Sequence, residues 1–146
     1  MFYSDLAEGK SIEKEVAGLF EKMGCTVEQS EGLFPDYDLK VIDVDDEMTV
    51  EVKYDKQAYK TGNTTVEVGK VINGIEEKSG LSTSKADVYV LHNLNIDGFY
   101  VISTNKLRRL IEKGAYKRMI TGGDGNRSKL ALFDLKTLLK ECEEIN

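Results

Sequence analysis

The stretch FPDYDLKVIDVDDEMTVEVK, residues 34–53, decides how this chain folds. Its segments LKVIDV and MTVEVKY are rich in β-branched residues and flank the acidic turn DDE, a pattern that predicts an antiparallel β-hairpin. Asp36 and Asp38 precede the first strand, and Glu51 and Lys53 occupy alternate positions near the end of the second. The stretch is therefore either an ordinary hairpin with charged ends or a cation site.

Strand geometry favours the cation site. A turn around residues 44–46 places Asp38 across from the segment between Glu51 and Lys53, and alternate strand residues point to the same face, so the three side chains can converge. Two carboxylates at one point repel each other and lose solvation, which makes sense mainly if a cation is present. Lys53 would then balance charge or act on a water, and a helix carboxylate such as Glu13 could complete the shell of an octahedral ion that keeps several waters.

The rest of the chain predicts helices and strands in a mixed order. Apolar residues at helical spacing predict a first helix from Ser11 to about Gly24. The later elements are a weak strand or linker in CTVEQS (25–30), strands in ADVYVLHNL (86–94) and GFYVIST (98–104), a helix in NKLRRLIEKGAYKRMI (105–120) capped by Ser103 and Thr104, a strand in SKLALFDL (128–135), and a closing helical turn or two in KTLLKECEEI (136–145). This order predicts an α+β (mixed α/β) domain spanning residues 1–146.

Composition restricts the function classes. No apolar run reaches membrane-spanning length, and Met1 is followed by polar and acidic residues, so we expect a cytoplasmic protein with no membrane partner. With one histidine, His92, and two separated cysteines, a zinc site is disfavoured, and a metal bound here would be a hard, oxygen-loving ion. The net charge is −6, but residues 103–140 carry ten Lys or Arg against three Asp or Glu. This basic segment is either a solvated helix face or a nucleic-acid surface.

Several short motifs resemble a known superfamily. The segments GKSIE (9–13), PDYDL (35–39) and EVK (51–53) resemble the PD-(D/E)XK nucleases, whose restriction-endonuclease-like αβββαβ core is a central mixed sheet flanked by helices. EVKYD (51–55), YKTGNTTVEV (59–68) and SGLSTSKADVYVLH (79–92) are similar to segments of small phage and bacterial nucleases of this kind. The resemblance covers about residues 9 to 110. An ExK motif alone is weak, and the further blocks in the same order make the match stronger.

The resemblance implies roles for particular residues. Asp38 and Glu51 would ligate Mg²⁺ or Mn²⁺ together with the backbone carbonyl of Val52. Lys53 would orient or polarise the attacking water, and Glu13 would be an outer or second-metal ligand. The reaction would be hydrolysis of a DNA phosphodiester bond, in which the ion activates water and offsets charge on the phosphate.

The first aspartate of the motif has two candidates. Asp36 follows Pro35, and Asp38 directly precedes the apolar strand. We prefer Asp38 because a ligand is expected at a strand start, while Asp36 would cap a turn beside Pro35.

DNA contacts are expected from two regions. In the segments that resemble nucleases and in the basic segment, the candidates are Lys60, Asn63, Ser84, Lys85, Arg108, Arg109, Arg127 and Lys129. Because the chain is acidic overall, we expect a structured or branched substrate engaged by shape, as by a Holliday-junction resolvase. A chain this short would need to form a homodimer to cut two strands.

Two alternatives belong to other function classes. A catalytically silent module of the same fold would bind nucleic acid or protein, although an unused cluster of like charges would only reduce stability. A calcium-binding interaction protein built on the DVDDE turn (43–47) ranks last, because that turn lacks the ligand spacing and glycine of an EF-hand loop.

Overall fold

The computed structural model describes residues 2–31, 36–92, 99–123, 125 and 127–145, with side chains from residue 8 onward. In chain order its elements are α1 (Phe2–Lys22), β1 (Thr26–Gln29), β2 (Leu39–Asp43), β3 (Asp46–Tyr54), α2 (Ala58–Thr61), β4 (Asn63–Ile72), β5 (Ile75–Lys78), a 3-10 turn (Gly80–Ser82), β6 (Val88–His92), β7 (Phe99–Ser103), α3 (Thr104–Glu112), β8 (Arg118–Gly122), β9 (Ser128–Asp134), α4 (Leu135–Leu139) and β10 (Glu143–Ile145).

The strands form two sheets. The larger has the order β1-β2-β3-β6-β7-β10, and the smaller has the order β5-β4-β9-β8. Within the larger sheet β3 and β6 run parallel, and the other neighbouring strands are antiparallel. The predicted α+β class with a central mixed sheet flanked by helices is confirmed. The connection from β3 to β6 runs through α2, the β4–β5 hairpin and the 3-10 turn.

Two apolar clusters lie on opposite faces of the larger sheet. On one face α1 packs Val16 and Phe20 against Leu39, Val50 and Val90. On the other face side chains of β6 and β7 meet β4, β9, α3 and α4, in a cluster that contains Tyr89, Leu91, Val66, Phe133 and Leu107. The molecule thus has a layer formed by α1, a layer formed by the larger sheet, and a layer formed by the smaller sheet with α3 and α4.

The β2–β3 hairpin matches the predicted register. Leu39 pairs with Val50 and Asp43 pairs with Asp46, so the turn consists of Val44 and Asp45. Val44 has a positive φ of 43° at this turn. The hairpin is therefore fixed by the alternating apolar residues of its two strands, as the sequence pattern predicts.

Three predicted boundaries are wrong. The first helix begins at Phe2 and runs through Gly9 and Ser11, because one helical glycine costs only about 1 kcal/mol and does not stop a helix. The helix capped by Ser103 ends at Glu112, before Gly114 with its φ of +71°, and residues 118–122 form β8. The closing helix is the five-residue α4, after which β10 pairs with β7.

Two predictions reach residues outside the described ones. The strand predicted for 86–94 is observed from Val88 to His92, and residues 93 and 94 lie outside the described part of the chain. Pro35, beside which a turn was expected, also lies outside it. Among the described residues, no helix combines the length and the apolar character needed to cross a membrane.

Candidate functional site

The backbone of β3 anchors Asp38 beside Glu51. Asp38 directly precedes β2, and its N–H donates to the Val50 carbonyl oxygen over 2.9 Å. Its Oδ2 accepts a hydrogen bond of 2.7 Å from the backbone N–H of Val52. Because Leu39 pairs with Val50, Asp38 takes the next position in the ladder, which is opposite Glu51. The structure thus brings these two carboxyl groups together across the hairpin.

Glu51 and Lys53 lie on the sheet face that is turned away from α1. Val50 belongs to the cluster under α1, and the alternation along β3 sends Glu51 and Lys53 to the other side. There they line a cavity of about 360 Å³ together with Glu67 of β4 and Tyr89 of β6. An adjoining cavity of about 520 Å³ is bordered by Asp38 and again by Glu51. We call these two adjoining cavities the cleft.

Glu13 of α1 reaches the same point from the helix side. Its side chain is buried, and it is hydrogen-bonded to the Asp38 carboxyl group. Its Oε2 accepts 2.9 Å from Gln29 Nε2 and lies 3.2 Å from Lys10 Nζ. Glu13 is therefore held by three neighbours, and it links α1 to the start of β2.

Two carboxyl groups of the cleft, those of Asp38 and Glu51, have raised pKa values. Burial raises the pKa of Asp38 to about 6, helped by the charge of Glu13 and partly offset by the hydrogen bond from Val52. Burial raises the pKa of Glu51 to about 8, and the negative charges of Asp38 and Glu13 add to the effect. The site therefore disfavours full ionisation in the absence of a cation.

Lys53 occupies the inner part of the cleft. Its side chain is half-buried, and burial lowers its pKa, while the charges of Asp55 and Glu67 oppose that shift. Glu67 is in turn fixed by Ser128 of β9, whose Oγ donates to Glu67 Oε1 over 2.8 Å. Lys53 and Glu51 thus line the same cavity.

The donor set suits a magnesium ion better than a zinc ion. Among the described residues, no group of three or more His, Cys, Asp or Glu side chains forms a ready-made ligand set. Mg²⁺ usually takes one or two carboxylates, keeps several waters and binds substrate phosphate. Asp38 and Glu51, with the carbonyl of Val52 directly after Glu51 in sequence, would supply that smaller set. Glu13 is already bonded to Gln29 and Lys10, so we do not count it among these direct ligands.

The two candidate aspartates occupy different places. Asp38 contacts the backbone of β3, whereas Asp36 is exposed and lies 3.9 Å from Lys85 across the mouth of the cleft. The structure therefore brings Asp38, and not Asp36, into contact with the other carboxyl groups.

The predicted DNA-contacting residues lie in several different elements and loops. Ser84 and Lys85 border the cleft beside Asp38. Lys60 and Asn63 lie in α2 and at the start of β4, where Asn63 Oδ1 accepts 2.6 Å from Lys117 Nζ.

The later basic candidates differ in their surroundings. Arg109 and Arg127 are exposed. Lys129 forms an ion pair of 2.7 Å with Glu76. The Arg108 side chain is half-buried and donates to two backbone carbonyl oxygens. Its contact with DNA stays a prediction.

Sequence reasoning missed three contributors to the site. Gln29 and Lys10 hold Glu13, and neither belongs to a motif that indicates chemistry. Tyr89 is buried, lines the cleft and pairs with Glu51 in the sheet. The parallel pairing of β3 with β6 would have identified Tyr89, but no local pattern reveals that pairing.

Comparison with known proteins supports the fold. No protein-family model matches the chain, and no curated protein matches it. Among solved structures it is similar to the bacterial homing endonuclease I-Ssp6803I, with a TM-score of 0.55 and 23% sequence identity over 67% of this chain and 68% of that chain. The chain thus shares its fold with an endonuclease.

Proposed function

We propose that this protein is a metal-dependent DNA endonuclease that hydrolyses phosphodiester bonds. One observation carries the proposal: Asp38 and Glu51 face each other across the β2–β3 hairpin, with Lys53 beside them in an open cleft. The raised pKa values of both carboxyl groups support a site built for a cation. The fold shared with a homing endonuclease supports the same class of reaction.

Each residue has a role in this proposal. Asp38, Glu51 and the Val52 carbonyl would hold Mg²⁺ or Mn²⁺. The bound ion would lower the pKa of a water and offset the charge on the phosphate. Lys53 would orient the attacking water or donate a hydrogen bond to the phosphate. Glu13 would hold the Asp38 side chain in place, because the two carboxyl groups are hydrogen-bonded.

The substrate we favour is a structured or branched DNA duplex, such as a Holliday junction. The net charge of −6 disfavours tight nonspecific binding to linear duplex DNA. We propose that the active form is a homodimer in the cytoplasm of a bacterial or phage-infected cell, since one copy presents one cleft for two strands.

The test is cleavage of a DNA panel by the wild type, Asp38→Ala and Lys53→Ala. Supercoiled, linear, single-stranded and four-way-junction DNA are incubated with Mg²⁺, Mn²⁺ or EDTA. We expect cutting that requires the metal and is lost in both variants, at least about 100-fold below wild type. The DNA that is cut fastest identifies the substrate.

The alternative makes the opposite prediction in the same assay. A catalytically silent module would bind one of these DNAs without cutting it under each metal condition. That result, with all proteins folded by circular dichroism, would replace the nuclease with a binding function. The acidic turn is tested separately by replacing Asp43, Asp45 and Asp46 together, which should leave metal-dependent cutting intact.

A further inference from the structure

One wall of the cleft is the segment SGLSTSK, residues 79–85, which we call the wall segment. Thr83, Ser84 and Lys85 border the cavity of about 520 Å³ that Asp38 and Glu51 also line. Two hydroxyl groups and an ammonium group therefore lie next to the candidate metal ligands. Such groups commonly contact DNA phosphates.

The strand β4 holds the wall segment from one side. Gly80 has a φ of +56°, and a Cβ atom there would collide with the backbone carbonyl and side chain of Glu67. Ser82 Oγ donates to the Val68 carbonyl oxygen over 2.7 Å. Leu81 is buried in the cluster between the two sheets. The first half of the wall segment is thus docked tightly on β4.

The helix α3 holds it from the other side through one arginine. Arg108 Nε donates to the Leu81 carbonyl oxygen over 3.0 Å, and Arg108 Nη2 donates to the Ser84 carbonyl oxygen over 2.6 Å. The planar guanidinium group offers several donors in a fixed geometry, so it can span two carbonyl groups three residues apart. The flexible ammonium group of a lysine does not have this geometry.

These contacts leave the end of the segment available to a ligand. The Lys85 side chain is 74% exposed, and its Nζ lies 3.9 Å from Asp36 Oδ2. Ser84 is fixed at its carbonyl by Arg108, and its Oγ accepts from the Ala86 N–H over 3.3 Å. Because the backbone is already ordered, binding a phosphate here costs little further conformational entropy.

We propose that the wall segment is a preformed phosphate-contact loop and that Arg108 is its positioning residue. The ligand is a DNA backbone phosphate adjacent to the one that is cut, contacted by Lys85 and the nearby hydroxyl groups. Arg108 strengthens DNA binding without touching DNA, by holding the Leu81 and Ser84 carbonyl groups. This inference rests on the proposed nuclease function and adds a binding role to a helix outside the metal site.

The experiment measures binding of a four-way junction and a linear duplex with Ca²⁺ in place of Mg²⁺. The variants are Arg108→Lys, Lys85→Ala and the double variant, and the matched control is Arg118→Lys on β8, which makes the same change at an exposed position. We expect Kd to rise roughly tenfold in Lys85→Ala and roughly three- to tenfold in Arg108→Lys, although the latter keeps its charge. The Kd of the double variant should exceed that of Lys85→Ala by no more than about twofold, because both substitutions act through one contact.

Two further readouts separate positioning from general structural damage. Arg108→Lys should raise KM for cleavage while kcat stays within about twofold, and amide exchange should accelerate in residues 79–85 and not in β2 or β3. Independent, multiplicative effects in the double variant, or an unchanged Kd in Arg108→Lys while Lys85→Ala binds weakly, would overturn the inference and leave the nuclease proposal standing. A wild type that binds and cuts none of the DNAs would overturn both.

Discussion

At the scale of single residues, the protonation of Glu51 depends on whether a cation is bound in the cleft. Its pKa of about 8 means that the carboxyl group is largely protonated at neutral pH when no cation is bound. A cation has to displace that proton, so metal affinity should rise with pH up to about 8. The same residue therefore links metal binding, pH and stability.

The first prediction concerns stability against pH in metal-free protein. The folded-state pKa of Glu51 lies above its ordinary value of 4.5, so the folded state binds more protons than the unfolded state between about pH 4.5 and 8. Stability is present below that window and is lost as pH rises through it. Between pH 6.5 and 8.5 we expect a loss of roughly 1–2 kcal/mol, reduced by the partial exposure of the carboxyl group, and a lower Tm.

Glu51→Gln is the control for this effect. Glutamine does not titrate, so its Tm should change much less between pH 6.5 and 8.5. Adding Mg²⁺ to the wild type at pH 8.5 should restore Tm, and it should do little for the variant. A wild-type Tm that stays flat or rises over this range, measured by differential scanning calorimetry, would contradict the account of Glu51.

The second prediction separates the two aspartates that the sequence left open. Asp38→Asn should lower cleavage at least about 100-fold, because the carboxyl group next to Glu51 is lost. Asp36→Asn should stay within a few-fold of wild type, since Asp36 is exposed and lies near Lys85 instead. Initial rates on the best substrate of the panel decide the question, and a reversed order would assign the metal to Asp36.

At the scale of secondary-structure elements, the third prediction compares two glycines. Gly80→Ala should destabilise the protein by roughly 2 kcal/mol or more, because its positive φ and the contact with Glu67 leave no room for a methyl group. Gly18→Ala should stabilise it by about 0.5–1 kcal/mol, because Gly18 lies in α1 with open space at the Cβ position. Urea unfolding of both variants tests the pair, and equal effects would show that the wall segment is not tightly docked.

Sequence patterns predicted the elements that are formed by residues close to one another in the chain. The β2–β3 hairpin follows from its alternation and acidic turn, and the Ser103 cap follows from a side chain that accepts from the Lys106 N–H. That hairpin alone places Asp38 opposite Glu51. The metal role of both residues stays a prediction until cleavage is measured.

Elements that depend on distant partners were not predictable in this way. β8 exists because β9 pairs with it, and β10 exists because β7 offers an edge. The hydrogen bonds of Arg108 depend on the packing of α3 near the 3-10 turn, so its sequence context indicates only a basic helix. The sequence shows which residues are cationic, but not which of them donate hydrogen bonds to other parts of the same chain.

At the scale of the whole molecule, the fourth prediction concerns salt. Of the eight residues expected to contact DNA, the exposed cations are Lys60, Lys85, Arg109 and Arg127. Four phosphate contacts correspond to a slope of log K against log salt of about −4 at most. Binding of a four-way junction between 50 and 200 mM NaCl, followed by fluorescence anisotropy, tests this. A much steeper slope would mean that further cations, or a second copy of the chain, contact the DNA.

The parallel pairing of β3 with β6 has a consequence for how the chain folds. About 30 residues separate the two strands, and they form α2, the β4–β5 hairpin and the wall segment. Closing such a loop is entropically costly, so this pairing should form after the local β2–β3 hairpin and limit the folding rate. The carboxyl pair of the hairpin can therefore assemble early, while the cleft around it exists only once the slow step is complete. A partly folded chain would carry the acidic groups without the surrounding cleft.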